Sequence, residues 1–443
     1  MMYSNPLNKR VYTKVSMKTK LLIFGITGDL STRKLLPALK EIIATGEFDE
    51  LSIIGVSRRD VDVSELLMSS VGDTGLADKV SVFSMNLARA SDYVKLKDFI
   101  QLTDDEQLLV YLSVPPQAAT QIVDFMGEAG VNSPNVKLMF EKPFGVDLVS
   151  AHDVIARTAR YYDESQIYRI DHYLAKEMAQ NIVAFRGGNA LFSHIWNNNF
   201  VDAIEVVASE KIGIEGRADF YEPTGALRDV LQGHVLQLLA LTLMDIPHDF
   251  DWSELPELRL RALQHIKSAD PDKAIRAQYD GYQNEVENPG SGTETFVSLE
   301  LQSDQPRWQG VPIRVSTGKA LSHKTTEVRI HLKKLHEAQS NCIIFRIQPN
   351  EGIDIELFTK KPGYDREFET KELSFNFAED EKLPDAYEQV IVDAIRSRKS
   401  LFTSSEEVLR AWEILEPVQT AWGMNNQPLR TYMQQSRIDD ILA

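Results

Sequence analysis

Cysteine is almost absent: Cys342 is alone among 443 residues, so no disulfide can close within the chain. It sits in the apolar run N-C-I-I-F-R-I, where a small buried thiol is the ordinary reading. That poverty fits a reducing, cytoplasmic compartment, which is the expected location. Long apolar runs are missing too. The longest, Val235 to Met244, is interrupted by Gln237 and Thr242 and falls well short of the roughly 20 residues a membrane span needs. The first twenty residues are polar and basic with no apolar core, so they do not read as a secretory signal. Basic residues are also scarce, 48 Lys and Arg against 65 Asp and Glu, for a net charge of −17. Nucleic-acid binding needs a basic footprint, so neither a nucleic-acid nor a membrane partner is expected. An anionic ligand would have to be held by a local concentration of Lys, Arg and His.

What is present is the composition of a soluble globular protein, 43% hydrophobic and 26% charged. The length exceeds one ordinary core and predicts two domains. Residues 1–18 are read as an extension, either disordered or a consequence of start-site choice. Residues 19–170 are read as an α/β Rossmann domain, and 171–443 as an α+β domain with a large, mainly antiparallel sheet.

The Rossmann expectation begins at Leu21 to Gly25, a buried strand turning through I-T-G-D-L into a helical pattern from Arg33 to Ile43. The next strand, Leu51 to Val56, ends in G-V-S-R-R. An acidic residue there would suit the free ribose hydroxyl of NAD; Arg58 and Arg59 suit the extra phosphate of NADP. Two further strands follow, and Leu108 to Val114 runs into Pro115-Pro116, a loop placed to flank a nicotinamide. Val136 to Phe140 leads into E-K-P-F-G, putting Glu141 and Lys142 at a strand end beside a proline that can be cis.

The central stretch is Tyr168 to Glu177, Y-R-I-D-H-Y-L-A-K-E. Asp171 is predicted to cap a helix running through Asn181, with His172 and Lys176 four apart on one face and Tyr173 close by. Such a helix start describes a seat for a phosphate, with Asp171 left to orient a second residue. Further on, a helix is predicted from Ala226 to Met244 whose apolar stripe, Leu227, Val230, Leu231, Val235, Leu238 and Leu241, includes His234. A histidine on an apolar face is more often a satisfied core residue than a catalyst, but a partly buried neutral imidazole is also what a general base requires. Strand patterns then recur without helices at T-E-T-F-V-S-L-E-L, 311–316, 326–332, 341–347 and 353–358, which is the signature of an antiparallel sheet.

R-I-D-H-Y-L-A-K-E closely resembles the substrate signature of the glucose-6-phosphate dehydrogenase family, which usually has Gly at the place of Ala175. The resemblance runs from about Lys20 to about Gly423 through the G-D-L turn, G-V-S-R, P-P, E-K-P-F-G, R-D-V-L-Q-G-H, S-T-G-K-A-L and the closing helical region from D-A-Y-E-Q to A-W. It implies oxidation of D-glucose 6-phosphate at C1 to 6-phospho-D-glucono-1,5-lactone with NADP, the first step of the oxidative pentose phosphate pathway, with NAD as a secondary cofactor. By the same resemblance Gly25, Thr27, Gly28, Asp29 and Leu30 would cradle the diphosphate and Arg58 would take the 2′-phosphate. Lys142 would touch both ligands. His234 would be the base and Asp171 its partner; His172, Tyr173 and Lys176 would hold the 6-phosphate; Lys142, Glu210, Asp229, Lys319 and Lys324 would hold sugar hydroxyls. The substrate would lie between the domains, no metal is implied, and the family habit is a homodimer or homotetramer. This chain departs from the pattern in its shortness, in R-G-G-N-A-L-F-S-H-I-W, and in Asp60 after the arginine pair. Two alternatives stand beside this reading. One is another Rossmann sugar oxidoreductase, since the E-K-P turn also resembles the glucose-fructose oxidoreductase group; the other is a non-catalytic NADP-binding sensor.

Overall fold

A computed structural model describes residues 18–335, 340–378, 381, 383–424 and 427–443; the extension up to residue 17 lies outside them. The chain divides into two compact units, the described part of Met1–Val114 with Phe125–Leu138, and Pro115–Asp124 with Met139–Ala443.

The first unit is built on β1 (Lys18–Phe24), β2 (Leu51–Ser57), β3 (Val80–Ser84), β4 (Glu106–Leu112) and the start of β5 (Val136–Phe140), in the order β3-β2-β1-β4-β5. The pairs β1–β2, β1–β4 and β2–β3 are parallel, with Leu22 opposite Ile54 on one side and Val110 on the other. Leu21, Leu22, Ile23 and Phe24 are wholly buried. A central parallel strand is covered on both faces, which is why the sequence reads as an unbroken apolar run rather than an alternation. After β1 the chain turns at Gly25, whose φ is +82°; a Cβ there would lie 2.3 Å from the carbonyl oxygen of Ser113, so only glycine fits. The turn is fastened by Ser31, whose hydroxyl donates to Gly25 O at 2.8 Å. Helical backbone starts at Asp29, earlier than predicted, is π over Ser31–Leu35 and α over Leu36–Ala44.

The second unit contains β6 (Ile167–Ile170) and a nine-stranded sheet. Its strands are β7 (Val201–Ser209), β8 (Ala274–Tyr279), β9 (Phe296–Leu301), β10 (Ile313–Gly318), β11 (Thr325–Leu332), β12 (Cys342–Gln348), β13 (Gly352–Lys360), β14 (Phe368–Asn376) and, after β15 (Phe402–Thr403), β16 (Leu429–Tyr432). The order is β14-β13-β12-β11-β7-β10-β9-β8-β16. Most pairs are antiparallel; β10–β7 and β16–β8 are parallel. One apolar core gathers Ile204 and Val206 of β7, Leu299 of β9, Val315 of β10 and Phe345 of β12 with Ile182, Leu238, Leu239 and Leu415 from the helices Glu177–Gly188, Leu236–Leu243 and Ser405–Gly423. Each such side chain contributes roughly 1.5–3 kcal/mol on burial, so this layer fixes the helices against the sheet. Among the described residues no helix is long and apolar enough to cross a membrane.

Two further predicted elements differ. The helix expected from Asp171 begins only at Glu177, with Lys176 as its extended N-cap residue. Asp171 spends its carboxylate on the N–H of Tyr173 at 3.0 Å, and tight turns follow, Leu174 N to Asp171 O and Lys176 N to Tyr173 O. His172 and Lys176 therefore do not share a helix face. The helix expected over Ala226–Met244 is π over Leu227–Val235 before it becomes α at Leu236.

Candidate active site

Asp171 stands at the end of β6, which is paired with β15 through Ile170 and Phe402. The carboxylate is almost wholly buried, and its Oδ1 lies 2.5 Å from Nδ1 of His234. A carboxylate only accepts, so Nδ1 carries the proton and Nε2 is left as the basic nitrogen. Burial alone would raise the Asp171 pKa, but the imidazole of His234, its hydrogen bond, and the charge of Lys142 hold the carboxyl well below the usual range. Burial lowers the His234 pKa from its ordinary 6.5; Asp171 pulls the other way, and Lys142 adds to the lowering. At neutral pH the pair is an ionised carboxylate holding a neutral imidazole. Among the described residues, Asp171 Oδ2 is buried with no hydrogen-bond partner.

Around the imidazole, Tyr173 stacks at 4.1 Å between ring centroids and 18°, and His172 meets it edge-on at 4.5 Å. Burial raises the Tyr173 pKa to about 12, so the phenol stays protonated. The same desolvation, reinforced by His234, keeps His172 well below its ordinary value and therefore neutral. Lys176 Nζ lies 5.6 Å from the Tyr173 ring. His172, Tyr173 and Lys176 thus gather on one turn, although not on the helix face predicted for them.

The other half of the cluster is electrostatic. Lys142 follows β5, its peptide bond to Pro143 is cis, and its ammonium donates to Asp229 O at 2.8 Å. Lys319, buried just after β10, pairs with Glu210 Oε1 at 2.9 Å and Asp229 Oδ2 at 3.5 Å. Asp229 and His234 are five apart on the π-helix, whose i→i+5 hydrogen bonds stack residues at that spacing one turn above another. Lys324 is exposed in the turn before β11, and among the described residues nothing brings it to this cluster.

Several neighbours were not predicted. Gly233 leaves room for Lys142: a Cβ there would come within 2.8 Å of its Nζ. The glycine beside the histidine in R-D-V-L-Q-G-H was the available signal. Gln348 donates to Tyr173 Oη and Thr326 Oγ1, both at 3.1 Å. Tyr387 lies parallel to His172 at 6.3 Å, and the Tyr221 ring faces the Lys319 ammonium at 5.2 Å. These partners come from distant strands and helices, so spacing carried no hint of them.

In the first unit, Gly25, Thr27 and Gly28 form the turn and Asp29 and Leu30 open the helix, with Gly28 N donating to Gly25 O at 2.9 Å. Asp29 pairs with Arg33 at 2.7 Å on the exposed surface. A glycine turn with no room for a side chain at Gly25, opening onto a helix start, fits a diphosphate. Arg58 and Arg59 are exposed beyond β2 and, among the described residues, their guanidinium groups have no acidic partner; Asp60 instead accepts from Ser84 at 2.7 Å. That fits an additional phosphate. In the second unit, Pro115 is exposed and its carbonyl accepts from Ala118 and Ala119; Glu141 is half-buried.

Two family models match. Residues 22–181 fit the glucose-6-phosphate dehydrogenase NAD-binding domain, and residues 183–440 fit the glucose-6-phosphate dehydrogenase C-terminal domain. The chain belongs to the glucose-6-phosphate dehydrogenase family. Within this family it is similar to the glucose-6-phosphate 1-dehydrogenase of Chlamydia muridarum, at 33% identity over 91% of this chain and 90% of that protein. The corresponding protein of Dickeya dadantii is 31% identical over 95% and 94%. Among solved structures, a glucose-6-phosphate dehydrogenase in complex with its substrate glucose-6-phosphate superposes with a TM-score of 0.89 at 29% identity, covering 96% and 97% of the two chains. That of Mycobacterium avium gives 0.85 at 31% identity, over 95% of each. Family membership agrees with the two-part fold, a Rossmann-like sheet and a large mainly antiparallel one.

Proposed function

We propose that this chain oxidises D-glucose 6-phosphate at C1 to 6-phospho-D-glucono-1,5-lactone with NADP, the first step of the oxidative pentose phosphate pathway, in the cytoplasm. Residues 19–170 bind the nucleotide and 171–443 the sugar. The observation that carries the reading is the buried Asp171–His234 pair beside Lys142 and Tyr173 in a chain of this family. His234 Nε2 takes the proton of the C1 hydroxyl. Asp171 keeps the imidazole in the tautomer that can do so and stabilises it once charged. When bound, the nicotinamide accepts the hydride that leaves C1. Lys142, Glu210, Asp229 and Lys319 hold sugar hydroxyls. Lys142 and Glu141, with Pro115, stand at the nicotinamide end.

His172, Tyr173 and Lys176 hold the 6-phosphate. Lys176→Ala is accordingly expected to raise the KM for glucose 6-phosphate by roughly tenfold or more, the size of a lost charge-assisted contact, with the NADP KM unchanged. Steady-state kinetics measures both, and an unaltered sugar-phosphate KM would sink the phosphate seat.

NADP is the preferred cofactor and NAD the secondary one. Gly25, Thr27, Gly28, Asp29 and Leu30 hold its diphosphate; Arg58, supported by Arg59, holds the 2′-phosphate. Arg58→Ala is expected to weaken NADP by roughly 10- to 100-fold and NAD hardly at all. Titration of both cofactors decides, and equal losses would remove Arg58 from that role. The chain assembles as a homodimer or homotetramer. Strand β14 leaves Leu373 and Phe375 exposed on one face for such a contact, and sedimentation finding only monomer at micromolar concentration would contradict it.

A further inference from the structure

The Lys319–Asp229 pair is held from behind by a frame outside the site. Its centre is the buried pair Glu294 and Thr295, which reaches both sides of the ion pair. On one side the Leu227 N–H, two residues before Asp229, donates to Glu294 Oε1 at 2.9 Å, and Ala226 N donates to Glu294 O at 3.0 Å. On the other side Lys319 N donates to Thr295 O at 2.9 Å. The C-terminal strand closes the arrangement. Tyr432, 5% exposed, gives its hydroxyl proton to Lys319 O at 2.6 Å, and Thr295 Oγ1 lies 2.9 Å from the same hydroxyl. Thr295 Oγ1 also accepts the Tyr279 N–H at 2.9 Å, so the segment is anchored to β8 as well. The backbone of Lys319 and the backbone just before Asp229 are thereby fixed to two consecutive residues, Glu294 and Thr295, and one phenol.

We propose that Glu294, Thr295 and Tyr432 are positioning residues that set the spacing of Asp229 and Lys319 and thereby the grip on the sugar hydroxyls. The inference deepens the substrate reading above and rests on it. A buried hydroxyl or carboxylate that merely held the fold together would affect every ligand alike. This frame reaches Lys319 and the backbone just before Asp229, on the helix that also carries His234, whereas the phosphate seat is built on the turn after β6.

The test compares binding of glucose 6-phosphate with binding of inorganic phosphate, by calorimetry on the full-length chain. Tyr432→Phe is expected to weaken glucose 6-phosphate by roughly three- to tenfold, the size of one lost buried hydrogen bond, and to leave inorganic phosphate and the NADP KM unchanged. Glu294→Leu is expected to give the same pattern, and Glu294→Gln, which keeps a carbonyl oxygen for Leu227 N, to return it towards wild type. Parallel weakening of both ligands, or no change in either, overturns the frame. Wild-type protein that oxidises the sugar phosphate while Tyr432→Phe and Glu294→Leu are unchanged overturns the frame alone. Wild-type protein that binds inorganic phosphate but not glucose 6-phosphate overturns the substrate reading together with it.

Discussion

His234→Ala is expected to lower kcat for glucose 6-phosphate oxidation by on the order of a hundredfold or more, with little change in KM, because a general base acts mainly in the transition state. Its Nε2 is the nitrogen left free once Nδ1–H is given to Asp171, and Tyr173 and His172 fix the plane of the ring. The pH profile gives an independent check. Only the neutral imidazole can take a proton, and burial places its pKa below the ordinary 6.5. Activity is therefore retained as pH falls to 6.5, and the acid limb of kcat/KM lies below that value. Full turnover in His234→Ala, or an acid limb above 6.5 in wild type, would remove the base assignment.

The second large effect is expected from Asp171→Asn, with kcat falling by on the order of a hundred- to ten-thousandfold while the fold persists. An asparagine can still accept from Tyr173 N and from Nδ1–H, so the geometry survives; what disappears is the charge that stabilises the imidazolium. The carboxylate is the largest of the influences that raise the His234 pKa against burial. Without it the base becomes weaker and the acid limb moves to still lower pH. Activity near wild type would mean that Asp171 is only the cap of the turn at Tyr173. A collapse of melting temperature by itself would leave the kinetic comparison to be made at lower temperature, where the same loss of kcat is expected.

Much of the first unit was legible because its strands are buried on both faces: Leu21 to Phe24 and Leu108 to Leu112 announce themselves as continuous apolar runs. In the second unit the strands that reach the core, such as β10 and β12, were also legible. Strand β14 was not, because nearly all its residues are exposed and neither face imposes a period. Strand β16 has four residues and owes its place to its pairing with β8. The turn after β6 was misread as helix because His172 and Lys176 have the right spacing; the competing hydrogen bond from Tyr173 N to the Asp171 carboxylate is invisible in a periodicity. Likewise, the apolar stripe that announces the helix containing His234 does not distinguish a π from an α hydrogen-bond register. The Asp171–His234 contact joins residues far apart in sequence, and no spacing rule reaches it; family resemblance supplied it as an expectation, and the structure puts the two atoms 2.5 Å apart.

The most direct test of the whole account is the absorbance of reduced nicotinamide on mixing purified protein with NADP and glucose 6-phosphate, with NAD and unphosphorylated glucose as the comparisons. Rapid reduction of NADP that requires the phosphate on the sugar is expected. No reduction of either cofactor with glucose 6-phosphate, or equal rates with glucose, would contradict it.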